Sequence, residues 1–111
     1  MNQEDSDLES FLKAVSEHWM AVSKRDTKKA NSYSDTSQEI VSRWMEQGVA
    51  ISILQTLLSS DSLEVRFSAA SHLHTLGRKD LSVPALRSVR DSGANSPALF
   101  ARVILMRDGY M

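Results

Sequence analysis

The sequence contains no cysteine and no long hydrophobic run, and both absences exclude classes of protein. Without cysteine, disulfide bonds and thiolate chemistry are impossible. The longest apolar run, residues 49–58, is too short and too polar to span a lipid bilayer. Residues 1–10 are rich in acidic side chains, whereas a signal peptide begins with a basic segment and continues with an apolar one. We therefore expect a soluble, cytoplasmic protein.

A large excess of one charge is also missing. The chain has 13 Lys and Arg and 14 Asp and Glu, so its total charge predicts no class of partner. The two signs are unevenly placed, however: residues 1–61 hold 6 basic and 10 acidic side chains (net −4), and residues 62–111 hold 7 and 4 (net +3). Such a dipolar chain can steer a charged partner although its net charge is small.

Sequence signatures of catalysis and metal binding are absent as well. There is no HExxH motif, no glycine-rich phosphate loop and no nucleophile elbow, so we expect no enzymatic activity and no cofactor. His72 and His74 are two residues apart and point in different directions on a helix, and His18 belongs to another helix. We therefore expect these histidines at the surface or half-buried, without a metal. Asp5 and Asp7 suggest a solvated N-terminal segment.

The clearest pattern in the chain is a helix over residues 63–77. Asp61 and Glu64 have the spacing of a capping box, and Gly77 is placed to end the helix. Apolar residues recur between them at helical spacing: Val65, Ala69, Leu73 and Leu76. Small side chains in the middle of this face allow another helix to approach closely. The pattern is typical of HEAT or armadillo helices.

The N-terminal part predicts an antiparallel helical hairpin over residues 6–48. A capping box of Ser6 and Glu9 opens the first helix, and Asp26 caps the second. Residues 34–37 are poor helix formers, so the second helix is either continuous or broken there.

Residues 49–109 contain a faint internal repeat with an offset of 32 residues. It relates the following pairs: Leu54 and Leu86, Leu57 and Val89, Phe67 and Leu99, Ala69 and Ala101, Leu73 and Leu105, Gly77 and Gly109. A fixed offset of this length is typical of stacked helix pairs. We therefore predict an all-α fold, a short HEAT/ARM-like α-α superhelix of five or six helices. It would form a single helical-repeat domain over residues 1–111.

Three of these helices have recognisable boundaries or faces. Residues 49–58 are apolar on nearly every side, which predicts a helix buried on several faces. The next helix is expected to begin at Asp80 or Ser82. In the last helix, Ser96 and Pro97 have the positions of an N-cap and a first residue.

The chain resembles the small bacterial ARM-like family catalogued as domain of unknown function twenty-nineteen. The resemblance covers most of the chain from Leu8 onward, and these residues carry it: Asp26 with Ala30 and Asn31, Val65 with Arg66, Ala69 with Ala70, Leu73, Leu76 and Gly109. It implies an α-α superhelix with no known enzymatic activity. Some relatives are thought to be immunity proteins that block secreted bacterial toxins, so the resemblance implies a toxin or effector as the partner.

Two surfaces are candidates for binding a protein partner. The first is a polar helix face with Lys79, Arg87, Arg90 and Asp91. The second is the last helix, which is apolar on almost all sides and has no later helix to cover it. Phe100, Val103 or Ile104 would be exposed there, unless the helix turns sideways and hides them. The candidate residues at this end are Phe100, Ile104, Arg107 and Tyr110.

Two other functions remain open. The chain could be an adaptor or a homodimerising scaffold that uses the same surfaces. Alternatively, a basic stripe could bind nucleic acid; it would comprise Arg78, Lys79, Arg87, Arg90, Arg102 and Arg107. The sequence pI of about 6.3 and the few aromatic residues in this half argue against nucleic acid.

Overall fold

Six helices make up the part of the chain that the structure describes. The computed structural model describes residues 3–111, with side chains from Ser6 onward. The helices are α1 (Gln3–Ser23), α2 (Thr27–Glu46), α3 (Ala50–Leu57), α4 (Leu63–Thr75), α5 (Lys79–Arg90) and α6 (Ser96–Asp108). No strand occurs in this range, so the prediction of an all-α fold of five or six helices is confirmed. The residues group into two compact units, one up to Ala50 and the other from Ile51 onward.

In the first unit, α1 and α2 form an antiparallel hairpin. Asp26 caps α2 as predicted, because its carboxylate accepts the backbone N–H of Lys29 at 3.1 Å. The core of the hairpin is built on Phe11 and Trp44, whose ring centroids are 5.2 Å apart and whose side chains are fully buried. Helix α2 runs unbroken through residues 34–37.

The start of α1 differs from the prediction in two ways. The helix begins at Gln3, so Ser6 lies inside it and does not cap it. Asp7 is buried and not solvated: its two carboxylate oxygens accept hydrogen bonds from Arg43, at 2.8 Å from Nη2 and 3.2 Å from Nε. This bidentate pair joins the first turns of α1 to the last turns of α2.

The second unit has its own core, formed by α4, α5 and α6. Its buried residues are Ala70, Val83, Leu86, Val89, Ala101 and Leu105. The 32-residue repeat is visible in the burial: Leu54, Leu73 and their equivalents Leu86 and Leu105 are all fully buried. The glycines that end the two copies, Gly77 and Gly109, have φ angles of 85° and 80°, which only glycine adopts readily.

Two helix starts are one residue away from their predicted positions. Ser62 caps α4 in place of Asp61, and Asn95 caps α6 in place of Ser96. Each side-chain oxygen accepts the backbone N–H three residues later, at 3.3 Å and 2.8 Å.

Helices α3 and α5 also differ from the sequence-based expectation. Helix α5 starts at Lys79, before both residues that were expected to begin it, and its N-cap Arg78 makes no side-chain capping bond. Helix α3 is amphipathic and not buried on several faces. Its exposed face consists of Ser52, Gln55 and Thr56, whereas Leu54 is fully buried.

Candidate protein-interaction surface

Helix α6 is apolar on two opposite faces, and only one of them is buried. Ala98, Ala101 and Leu105 face the core of the second unit and are at most 4% exposed. On the other side, Leu99 is 61%, Val103 53% and Met106 57% exposed. These three residues have the spacing i, i+4 and i+7, so they form one stripe of about 10 Å along the helix. We call this stripe the α6 outer face.

Phe100 and Arg102 lie on either side of the α6 outer face. Phe100 is 47% exposed, and its ring lies 6.5 Å from the ring of Phe67. Arg102 lies on the opposite border and makes no hydrogen bond or ion pair with any of the side chains described from Ser6 to Met111. The other Lys and Arg side chains of this unit each bond to a neighbour within the same part of the chain. Arg102 can therefore pair with a carboxylate of a partner without breaking an internal bond.

An open groove of about 660 Å³ adjoins the stripe, between the end of α5 and the first turns of α6. Its lining combines apolar surface from Leu99 and Met111 with the cationic side chains of Arg90 and Arg102. The α6 outer face and this groove therefore form a continuous surface that is apolar and carries positive charge.

The polar face predicted on α5 is occupied by internal bonds. Lys79 donates to the carbonyl of His74 at 2.8 Å, and Arg87 donates to the carbonyl of Tyr110 from Nε at 3.1 Å and Nη2 at 2.8 Å. Arg90 forms an ion pair with Asp91 at 2.8 Å, and each of the two groups shifts the pKa of the other toward its charged form. A partner would have to compete with these contacts.

The predicted residues at the α6 end lie in different environments. Phe100 is exposed, whereas Ile104 and Tyr110 are partly buried against the core of the second unit. Arg107 is paired with Asp108 at 3.0 Å. Leu99 and Met106 were not among the predicted residues, although their seven-residue spacing around Val103 could have identified the stripe.

His74 is at the centre of a polar network that sequence analysis missed. It is 4% exposed, so the expectation of a surface or half-buried side chain is wrong for this residue. Its Nε2 lies 2.7 Å from the carboxylate of Asp108 and its Nδ1 2.8 Å from the hydroxyl of Ser82. Because an ionised carboxylate only accepts hydrogen bonds, Nε2 is the donor to Asp108. The buried position of His74 could have been predicted from helical spacing, since His74 follows Ala70, which is also buried, by one turn.

This network resembles a Ser–His–Asp triad in composition but not in position. Ser82 is fully buried, so its hydroxyl cannot contact a substrate. Asp108 has a pKa well below its ordinary range, because it accepts hydrogen bonds from Arg107 and, secondarily, from His74. The three residues come from α5, α4 and α6, so the network connects the helices of the second unit.

His72 makes the stability of the protein depend on pH. Burial lowers its pKa from 6.5 to about 4, so the folded state disfavours the protonated ring. As the pH falls from about 6.5 to about 4, the unfolded chain binds the proton first and the free energy of unfolding decreases. In His72→Gln the free energy of unfolding should decrease by about 2 kcal/mol less over this pH range than in the parent. The value is smaller than the whole pKa shift would give, because the ring is partly in contact with water. Urea unfolding of parent and variant at pH 7 and pH 4 measures this difference. If the free energy of unfolding changes equally with pH in both proteins, His72 is not the cause of the pH dependence.

The residues that the structure describes offer no group of three His, Cys, Asp or Glu side chains placed to hold a metal ion. Within the same residues, every helix is too short or too polar to cross a membrane. Comparison of the chain with protein-family models, with curated proteins and with solved structures found no significant match. The resemblance to the ARM-like family therefore stays a prediction.

Proposed function

We propose that this chain is a protein-binding module and that it binds its partner through the α6 outer face. The observation that carries the proposal is the exposure of Leu99, Val103 and Met106, each more than half exposed on one helical stripe. Scattered exposed apolar residues are common, but an aligned set beside a groove is typical of an interaction surface. Phe100 adds an aromatic side chain, the residue type that often dominates interface energy.

The finer proposal is that the partner is a bacterial toxin or effector, which the chain blocks by covering part of its surface. This identification depends on the family resemblance and not on the geometry of the site. The second candidate is an adaptor that uses the same surface without inhibiting its partner. Nucleic-acid binding is less favoured, because most cations of the basic stripe already bond within the chain.

Co-expression with the product of a neighbouring toxin gene tests the proposal. We expect the parent chain to restore growth and to co-purify with the toxin. The double variant Leu99→Asp/Val103→Asp should lose both properties and keep its helicity, because both side chains are exposed. The matched control is Met20→Asp/Met45→Asp, which places the same charges at two other exposed apolar positions, 49% and 48% exposed.

Each result of this experiment decides one part of the proposal. Binding without growth rescue would favour the adaptor over the inhibitor. Unchanged binding by the α6 double variant would show that the outer face is not the interface. If the parent neither binds nor protects, the immunity proposal is wrong.

A further inference from the structure

We propose that the partner places a helix on the α6 outer face and supplies a carboxylate to Arg102. The inference depends on the proposed function, since it specifies the chemistry of the partner at the same surface. Three observations carry it: the internal repeat, the position of Arg102 and the unfavourable geometry of a two-fold self-pairing.

The internal repeat shows what covers such a face elsewhere in this chain. Subtracting the offset of 32 residues places Leu99, Arg102 and Met106 over Phe67, Ala70 and His74 of α4. Helices α5 and α6 cover these α4 positions. Ala70 belongs to the core that they share, Phe67 packs against it beside Phe100, and His74 bonds to Ser82 and Asp108. Two of the three positions equivalent to the α6 outer face, Phe67 and His74, are therefore covered by helices in this chain, and the third, Ser71, is half-buried.

The equivalent positions also indicate the chemistry of a helix that covers the stripe. Where α4 has the small Ala70, α6 has Arg102, whose guanidinium has no partner among the described side chains of residues 6–111. A helix that covers the stripe would remove water from this cation, and an unpaired charge at an interface is costly. A Glu or Asp on the covering helix would pair with the charge of Arg102, because a carboxylate can accept two hydrogen bonds from the planar guanidinium.

A second copy of the chain fits this surface less well in a two-fold arrangement. The stripe from Leu99 to Met106 has its midpoint between Arg102 and Val103. Pairing α6 with its own copy around this midpoint brings two Arg102 side chains near each other. Like charges opposed across an interface are unfavourable, so the geometry favours an acidic helix from a different protein.

Two synthetic peptides test this inference without knowledge of the natural partner. Both are amphipathic peptides of about 18 residues, long enough to form a helix. They carry leucines at i, i+4 and i+7; one has glutamates and the other lysines beside the leucine stripe. We expect the parent chain to bind the glutamate peptide about tenfold or more tightly than the lysine peptide, the effect of one interfacial charge pair. Fluorescence anisotropy at constant ionic strength measures both affinities.

Variants of the chain assign the preference to Arg102. Arg102→Glu should abolish or reverse it, whereas Lys13→Glu, the same charge change at an exposed residue of α1, should leave it intact. Equal affinities for the two peptides, no binding of either, or an unchanged preference in Arg102→Glu would overturn the inference. So would a dimer in sedimentation equilibrium that Leu99→Asp dissociates, because a second copy would then cover the stripe. In all of these cases, the co-expression experiment still judges the proposed function separately.

Discussion

Leu73→Ala is expected to lower the free energy of unfolding by about 2–5 kcal/mol, the range for truncating a fully buried leucine. Leu73 has no exposed surface, and neither has its repeat equivalent Leu105. The substitution removes buried apolar surface and leaves a cavity that the surrounding helices fill only in part. Urea unfolding followed by far-ultraviolet circular dichroism measures the loss.

The matched control for this prediction is Leu99→Ala. It makes the same chemical change on the same type of element, but Leu99 is 61% exposed. We expect a change of at most about 0.5 kcal/mol, as for other surface substitutions. If both variants are equally stable, Leu73 is not part of a packed core, and the assignment of inner and outer helix faces is wrong.

His74→Ala is expected to lower the free energy of unfolding by about 2–4 kcal/mol. It removes a buried ring and leaves the hydroxyl of Ser82 without its partner in a place that water does not reach. It also removes one of the two side chains that hydrogen-bond to Asp108. A buried polar group without a partner is costly because it has lost its hydration.

A double-mutant cycle separates the hydrogen-bond network from simple loss of volume. If His74 and Ser82 stabilise each other, Ser82→Ala should cost less in the His74→Ala background than in the parent, by about 0.5–3 kcal/mol. Strictly additive free energies would show that the two side chains do not interact in solution. A small effect of His74→Ala alone would indicate that the ring is exposed to solvent and does not belong to a buried network.

Local sequence patterns predicted the helices well and their first residues less well. Asp61 and Ser62 are both good N-cap residues, as are Asn95 and Ser96, so composition alone could not choose between neighbours. The choice depends on the direction from which the chain enters the helix, which is a property of the fold. Helix ends marked by glycine, such as Gly109, were easier to place because glycine adopts the positive φ angle there more readily than other residues.

The polar contacts were the least predictable part of the structure. Asp7 and Arg43 are separated by 36 residues, and no local pattern connects them. Likewise, the bonds that occupy Arg87 and Arg90 depend on where the chain brings Tyr110 and Asp91. The sequence identified the basic residues of this half, but it could not show which of them already had partners. Arg102 takes part in none of these contacts.

The most direct test of the α6 outer face is site-specific photo-crosslinking in the complex with the co-expressed partner. A photoreactive amino acid at Val103 should form a covalent bond to the partner, and mass spectrometry should locate it on a helix that carries an acidic residue near the bond. The same probe at Met45, which is exposed on α2, should give no cross-link. A cross-link from position 45 but none from position 103 would contradict the proposed interface.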